Sequence, residues 1–375
     1  MNGKPVLYRE NIRTVLTANS AAFAEKLLCD GLVMNLGDAC VFGCTFCYVE
    51  EQMRKLDKAI LDGYNARQRS LDPGHVDLGF QDVVIRRRNA LPVLADQLVR
   101  KDGSRRYPDP DDHRVLYSST LVDVAGNLEL LQETAEACKL ILSHTAWDIR
   151  LLSKSSLLRK LVELIPEEFH QRLILGFSTA TLDDRACRAI EKGTSSIGKR
   201  LEALHWLQDR GFRTFGMICP SLPHADYAAF SKAACEAIRA DRCEHVWAEV
   251  INVRGDSFRL TCEALHSAGL YQEEALLRSV HGPHAKAAWE QYARQTFLAH
   301  AANIPGEKLR FLQYVTPASA DWWARMRHRG AVLLGSHAQS HGFTIGNHAR
   351  PRTRASKMPD GHSRHSGPSF TVPTR

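Results

Sequence analysis

The chain has 375 residues, of which 44% are hydrophobic, and a net charge of +7. A chain of this size can bury one large core, or one core and a smaller appendage. No apolar run approaches the roughly 18 residues of a membrane helix, and the N-terminus lacks the hydrophobic segment of a secretion signal. Ten cysteines are too few for a disulfide scaffold at this length. We therefore expect a cytoplasmic protein with reduced thiols and no membrane contact.

After an N-terminal segment, residues 1–30, short apolar runs alternate with longer amphipathic segments, which is typical of βα units around a parallel sheet. Six strands are predicted, at 32–36, 114–118, 148–152, 173–177, 213–218 and 245–251. Helices are predicted between them, at 48–61, 128–143, 156–165, 183–191, 197–210 and 227–240. The helix at 197–210 is well marked because Gly211 follows it as a helix C-cap.

Residues 63–107 interrupt this alternation with a predicted strand at 83–85, a helix at 92–99 and several arginines. This insertion is either a solvated excursion or an arm whose arginines contact phosphates. The arginines concerned are Arg86, Arg87, Arg88, Arg105 and Arg106.

Beyond the core at 31–255, residues 256–335 are predicted to form a mainly helical extension, with helices at 260–268, 272–278 and 284–301 and a short one from Trp322. Residues 336–375 are rich in Ser, His, Arg, Pro and Gly, which predicts disorder. Six of the 49 basic residues and one of the 42 acidic residues lie in this tail. The rest of the chain is therefore nearly neutral and gives no independent support for nucleic-acid binding.

Three cysteines in the run CVFGCTFCYV form the most informative motif of the chain. Cys40, Cys44 and Cys47 have the spacing C-x3-C-x2-C and follow the first predicted strand. Thiolates are soft ligands that suit iron–sulfur clusters or zinc. A cubane cluster has four irons, so three cysteines leave one iron open to a small molecule. A structural zinc site normally has four protein ligands, and no second cysteine pair stands at a suitable spacing; that alternative and chance clustering remain.

This spacing, with the aromatic Phe46 just before the third cysteine, resembles the signature of the radical S-adenosylmethionine enzymes. The segments LLSKSSLLRKL, LGFSTATLDDRACRAIEKGTSSIGKRLEALHWLQDRGF and MICPSLPHAD resemble the spore photoproduct lyase-like branch, which is related to the DNA repair photolyases. The resemblance covers residues 32–252. It implies an α/β fold, a partial (β/α)6 TIM-like barrel, whose active site lies at the carboxyl ends of the strands.

The resemblance further implies that a [4Fe-4S] cluster held by the three cysteines binds S-adenosylmethionine. In that arrangement Lys154 binds the carboxylate of the cofactor, and Ser178 contacts its methionine or ribose portion. Arg200 matches the family arginine and holds a carboxylate. Each assignment has an alternative: Lys154 is only a lysine at the start of a helix, Ser178 is only a helix N-cap, and Arg200 lies on a solvated face.

The Gly-Gly-Glu motif of many radical enzymes is missing after the second strand. Ser119 and Thr120 are the nearest matches to the branch and are expected near the cofactor, with Asp123 and Glu129 as further candidates. Cys219 ends the fifth strand on the expected active-site face. A thiol there can return a hydrogen atom to a product radical, although buried free cysteines mostly just pack.

The resemblance implies a lyase-like radical enzyme that acts on a nucleic-acid base, with a partner such as flavodoxin or ferredoxin supplying the electron. Modification of RNA, a peptide or a small molecule by the same radical is an alternative within enzymes. A binding protein that senses redox state through its cluster is an alternative from another class. The βα barrel and Lys154 speak against the sensor, which needs no cavity for a cofactor.

Overall fold

The computed structural model describes residues 3–17, 20–251, 256–282 and 285–335. The predicted disorder of 336–375 lies outside these residues. The strands in the described ranges are β1 Val6–Arg9, β2 Leu16–Thr17, β3 Leu32–Met34, β4 Gly37–Ala39, β5 Gly43–Cys44, β6 Val84–Arg87, β7 Val115–Ser118, β8 Asp148–Ser153, β9 Leu173–Ser178, β10 Glu191–Lys192, β11 Arg213–Ser221, β12 Val246–Val250, β13 Leu309–Tyr314 and β14 Ala331–Leu334.

The helices alternate with the strands of the core, as the sequence predicts. They are α1 Ala21–Glu25, α2 Val49–Leu56, α3 Lys58–Leu71, α4 Ala90–Leu98, α5 Leu128–His144, α6 Leu161–Leu164, α7 Asp184–Ile190, α8 Ile197–Asp209, α9 Tyr227–Ala237, α10 Ser257–Ser267, α11 Tyr271–Ser279, α12 Lys286–Asn303 and α13 Ala320–Arg325. The helix predicted at 48–61 is divided into α2 and α3 at Asp57, a buried residue that binds Arg9 at 3.0 Å. Within the described ranges, the helices are too short or too polar to cross a membrane.

The main sheet has nine strands in the order β14-β13-β12-β11-β9-β8-β7-β3-β2. Every neighbouring pair is parallel except β2 and β3. The six predicted strands correspond to β3, β7, β8, β9, β11 and β12, so the prediction of a parallel α/β sheet is confirmed. In the described part of the chain β2 and β14 are the edges of this sheet and do not pair with each other, so closure into a barrel is not shown.

The described residues of 256–335 are mainly helical, but they also contain two strands that the sequence analysis did not predict. β13 and β14 lie there and add two parallel strands to the sheet. The run LRFLQY of β13 has Leu309, Phe311 and Leu312 buried, but Arg310 and Gln313 break its apolar pattern. A strand of six residues with two polar members gives a weak periodic signal, which is why it was missed.

The insertion 63–107 is part of the folded body. β6 is the central strand of a second sheet, between β1 and β4. Helix α4 contributes Ala90, Leu94 and Leu98 to the main hydrophobic core. The reading of this segment as a solvated excursion is therefore wrong.

We call the face of the main sheet that carries Tyr117, Phe215 and Trp247 the inner face; these side chains form a hydrophobic cluster separate from the larger core under the helices. The chain after α1 covers this face, because the Trp247 indole N–H donates to the Lys26 carbonyl at 2.9 Å. Arg150 donates to the Leu28 carbonyl at 2.5 Å. Side chains alternate between the two faces of a strand. Polar residues that lie two or four positions after these aromatic residues, towards the carboxyl ends of the strands, are therefore also on the inner face.

Candidate active site at the cysteine loop

The three cysteines lie on a loop that follows β3 and β4 and is fixed by a short antiparallel ladder. Cys40 follows β4, Cys44 ends β5, and Cys47 stands just before α2. β5 pairs with β10, which places Cys44 opposite Glu191. The Thr45 N–H extends this pairing by donating to the Ile190 carbonyl at 2.9 Å. The loop is therefore attached to the chain that leaves the carboxyl end of β9.

All three thiols are free and partly exposed at the residue level. Burial raises the pKa of Cys40 to about 12 and raises the pKa values of Cys44 and Cys47. The Cys40 and Cys47 thiols both raise the pKa of Cys44, and Cys47 also raises the pKa of Cys40. The backbone N–H of Phe42 donates to the Cys40 sulfur at 3.5 Å. Metal ligands must lose their protons, so these partly buried thiols would bind a metal as thiolates, and the Phe42 N–H would stabilise the charge on Cys40.

In the described residues, no three His, Cys, Asp or Glu side chains are arranged around a position for one metal ion. A structural zinc site normally has four protein ligands, and this loop supplies three thiols. Soft thiolates also bind iron–sulfur clusters. The chemistry of the donor set is therefore compatible with a cluster that has one open iron.

Lys154 follows β8 and lies against this loop. Its ammonium binds the Glu191 carboxylate and lies 4.5 Å from the centre of the Phe46 ring. Burial lowers the pKa of Lys154, but Glu191 and the Cys44 thiol outweigh this effect, so the pKa is raised and the side chain is a cation. The structure thus brings Lys154, Phe46 and Cys44 together, as the sequence suggests, and adds Glu191, which sequence reasoning missed.

Arg200 lies behind Glu191 and has no exposed surface. Its guanidinium binds the Glu191 carboxylate at 2.7 Å and donates to the Ser178 carbonyl at 2.8 Å and the Ser195 carbonyl at 2.9 Å. The alternative of a solvated arginine is wrong. The carboxylate that Arg200 holds is one from the protein, because burial by α8 and β9 leaves it no open side.

Ser178 and Cys219 meet at the carboxyl edge of the sheet. The Ser178 hydroxyl donates to the Cys219 carbonyl at 3.1 Å, and Asp183 is the N-cap of the following helix, so the N-cap alternative for Ser178 is wrong. By strand alternation Ser178, Cys219 and Glu249 lie on the inner face. Burial raises the pKa of Cys219, with a further contribution from Glu249, while Lys26 and Lys154 lower it. Cys219 lies near the carboxyl end of β11, and Lys154 directly follows β8.

Thr120 is linked to the cysteine loop through its backbone. Its carbonyl accepts a hydrogen bond of 2.6 Å from the Tyr48 hydroxyl, and Tyr48 directly follows Cys47. The Thr120 hydroxyl donates to the Asn35 side chain at 2.6 Å. Ser119 has a positive φ of 97°, an unusual conformation for a serine. Tyr48 and Asn35 were missed because a tyrosine after a strand and a buried asparagine have no distinctive sequence signal.

Asp123 and Glu129 have structural partners. The Asp123 carboxylate accepts from the Lys154 N–H, the Ala125 N–H and the Ser153 hydroxyl, at 2.7 to 2.8 Å. Asp123 therefore holds the turn that carries Lys154. Glu129 is an exposed residue that binds Arg86 at 3.0 Å.

Three arginines of the insertion, Arg86 to Arg88, also have carboxylate partners. Arg86 binds Glu133 in addition to Glu129, Arg87 binds the buried Asp38 at 2.6 Å, and Arg88 binds Glu10 at 2.5 Å. Paired arginines are less available to phosphates than free ones. The hypothesis of a phosphate-binding arm at Arg86–Arg88 therefore loses its main support.

Lys26 and Glu249 add an ion pair to the inner face, with 3.8 Å between the ammonium and the carboxylate. The ammonium also lies 5.8 Å from the centre of the Tyr314 ring. Glu249 and Lys26 have opposite effects on the pKa of Cys219: the Glu249 charge raises it and Lys26 lowers it. The site thus combines three thiols, a buried cation at Lys154 and a second, polar group of residues around Cys219.

These features define an α/β protein with a thiol-bearing loop at the carboxyl edge of a parallel sheet. No protein-family model and no curated protein matches the chain. Solved structures similar to this chain include spore photoproduct lyase structures. One, complexed with dinucleoside spore photoproduct, is 13% identical, with a TM-score of 0.47 over 69% of this chain and 66% of that one. A mutant with bound AdoMet and dinucleoside spore photoproduct is 14% identical, with the same coverage and TM-score.

The chain spans just under two thirds of the length of these structures. Their bound molecules belong to those proteins. The function of this chain therefore has to be argued from its own residues.

Proposed function

We propose that the protein is a radical S-adenosylmethionine enzyme. Cys40, Cys44 and Cys47 would hold three irons of a [4Fe-4S] cluster and leave the fourth for the amino and carboxylate groups of S-adenosylmethionine. When bound, the cluster supplies the electron that cleaves the sulfonium to a 5'-deoxyadenosyl radical. The chain itself binds and orients the reactants and keeps water from them.

The observation that carries this proposal is the position of Lys154 against the cysteine loop. The Lys154 ammonium, which lowers the pKa values of the Cys44 and Cys47 thiols, can bind an anionic ligand at the loop through charge-assisted hydrogen bonds. Phe46 holds the ammonium against its ring face, a contact that favours a cation there. A zinc-binding or redox-sensing loop requires no such cation.

The remaining candidates divide into two groups. We assign Lys154 and the hydroxyls of Ser119 and Ser178 to direct contact with the cofactor. Arg200 and Thr120 act through other residues, Arg200 through Glu191 and Thr120 through Tyr48 and Asn35. Phe46 orients Lys154.

We further propose that Cys219 donates a hydrogen atom to a substrate radical. Cys219 lies near the carboxyl end of β11 and Lys154 follows β8, so both border the carboxyl edge of the sheet, where we expect the substrate to bind. A nucleic-acid base is the substrate class we favour, and RNA, a peptide or a small molecule would be accommodated by the same chemistry. A cytoplasmic flavodoxin or ferredoxin is the electron donor we expect.

The decisive experiment is anaerobic reconstitution with iron and sulfide, followed by reduction and addition of S-adenosylmethionine. We expect about four irons per chain, an electron paramagnetic resonance signal that S-adenosylmethionine changes, and release of 5'-deoxyadenosine. Cys44→Ala protein is the matched control. The proposal would be contradicted if fully loaded protein released no 5'-deoxyadenosine and if S-adenosylmethionine did not change its electron paramagnetic resonance signal. That result would favour a redox-sensing protein.

A further inference from the structure

A buried cluster of two cations and one carboxylate lies directly behind the cysteine loop. Glu191 is at its centre, with one carboxylate oxygen on the Lys154 ammonium and the other on the Arg200 guanidinium at 2.7 Å. The exposed fractions of the Lys154, Glu191 and Arg200 side chains are 16%, 0% and 0%. We call these three residues the charge triad.

The charge triad is fixed to the loop through the backbone and not only through charge. Glu191 and Cys44 are opposite each other in the β5–β10 ladder. Arg200 is held by the Ser178 and Ser195 carbonyls and by the Thr194 hydroxyl, so it has no freedom to leave Glu191. The positions of these charges relative to Cys44 are therefore set by the fold.

The triad carries one net positive charge. Buried charges are poorly screened by water and salt, so each of them acts on its neighbours more strongly than an exposed charge at the same distance. Lys154 and Glu191 both act on Cys44: Lys154 lowers the pKa of its thiol, and Glu191 raises it. A metal group on Cys44 would be exposed to the same two opposing charges.

We propose that Glu191 is a positioning residue that holds Lys154 at the cysteine loop and, with it, sets the reduction potential of the cluster bound there. This inference rests on the proposed function for the presence of the cluster. Reduction adds one electron to the cluster, and the potentials of such clusters depend on the net charge and hydrogen bonds around them. A cation nearby stabilises the reduced form, and a carboxylate nearby destabilises it.

Two neighbouring substitutions therefore have opposite expected effects. Glu191→Gln removes a negative charge while keeping the shape and hydrogen-bonding capacity of the side chain, so the potential should rise. Lys154→Gln removes the positive charge and should lower the potential. If the two substitutions only loosened the loop, they would not be expected to shift the reduction potential in opposite directions.

The experiment is a redox titration of reconstituted protein, followed by electron paramagnetic resonance, without S-adenosylmethionine. The matched control is Glu244→Gln, which removes a carboxylate paired with Arg213 at 2.5 Å at the opposite end of the strands. We expect a higher potential for Glu191→Gln, a lower one for Lys154→Gln and an unchanged one for Glu244→Gln. Equal potentials in all four proteins, or shifts of the same sign in both triad variants, would overturn the inference.

Two further outcomes are informative. If Glu191→Gln folds but retains no iron, its role is assembly of the loop, and the inference about the potential is wrong. If Glu191→Gln does not fold, the direction of the shift in Lys154→Gln decides, since only a decrease agrees with the inference. Loaded wild-type protein that yields no 5'-deoxyadenosine would contradict the proposed function, whereas the potentials would still test the charge triad.

Discussion

Glu191 and Cys44 face each other across a two-residue antiparallel ladder, and the Glu191 carboxylate binds both Lys154 and Arg200. One residue thus connects the cysteine loop, the end of β8 and helix α8. These three segments are far apart in the sequence. Their meeting point is the carboxyl edge of the parallel sheet, where α/β proteins place their ligands.

Cys44→Ala should reduce the iron retained after reconstitution by at least about tenfold. Removing a residue that hydrogen-bonds to a metal ligand lowers metal affinity by about 10 to 100-fold. Removing the ligand itself should lower the affinity by at least as much. Iron and sulfide analysis of the desalted protein is the measurement. Cys138→Ala is the control, because Cys138 is a fully buried thiol in α5, remote in sequence from the loop. Equal iron contents in the two variants would show that Cys44 is no ligand.

Arg200→Met should lower the free energy of unfolding by about 1 to 3 kcal/mol, since it removes one of the two cations that bind the buried Glu191 carboxylate. The measurement is urea denaturation of protein without metal. Arg88→Met is the control: Arg88 and its partner Glu10 are 56% and 54% exposed, and exposed pairs contribute at most about 1 kcal/mol. A loss of stability no larger than that of the control would mean that the triad does not stabilise the fold.

The sequence predicted the parallel sheet because each of its six central strands is a short apolar run followed by an amphipathic helix. The same reasoning placed Lys154, Ser178 and Cys219 at the ends of their strands, and the structure has them at one edge. It did not find Glu191, which stands in the run EKG after α7 with nothing to mark it. A residue whose partners come from β5, β8 and α8 is recognisable only when the tertiary structure brings them together.

The same limit applies to Arg86–Arg88. Three consecutive arginines resemble a free cationic patch in the sequence. In the structure their partners, Glu133, Asp38 and Glu10, come from three separate segments. Charge pairing between distant segments leaves no local pattern, so charge runs predict net charge better than they predict accessible charge.

Stability should decrease as the pH falls from about 6.5 to about 4, and His300 should account for part of the decrease. Burial, with a smaller effect of His224, lowers the pKa of His300 to about 4 from 6.5. In this window the unfolded chain binds the proton and the folded chain does not, so acid favours unfolding. The His300 ring nitrogens contact the Ser221 and Ser231 hydroxyls at 3.3 and 3.0 Å, deep between β11, α9 and α12.

The test compares urea unfolding of wild type and His300→Gln across this pH range. The variant should lose less stability on acidification, although His224 and His245, whose pKa values burial also lowers to about 4, will leave part of the slope. His113→Gln, at an exposed histidine, should keep the slope of wild type. An identical slope in His300→Gln would show that this histidine does not contribute.

Gly176→Ala should destabilise the sheet by about 1 to 3 kcal/mol, the usual cost of overpacking a core. Gly176 lies in β9, and an added Cβ would stand 2.4 Å from the Phe215 ring in β11. The ring fills the inner face below Ser178 and Cys219, so its displacement should also disturb the site. Gly198→Ala is the control, because an added Cβ there meets nothing within 4 Å and alanine favours the helical conformation of α8. The thermal unfolding midpoint should therefore be lower than that of wild type for Gly176→Ala, and equal to it or higher for Gly198→Ala. Equal midpoints for wild type and Gly176→Ala would mean that the Phe215 ring can move aside without loss of stability.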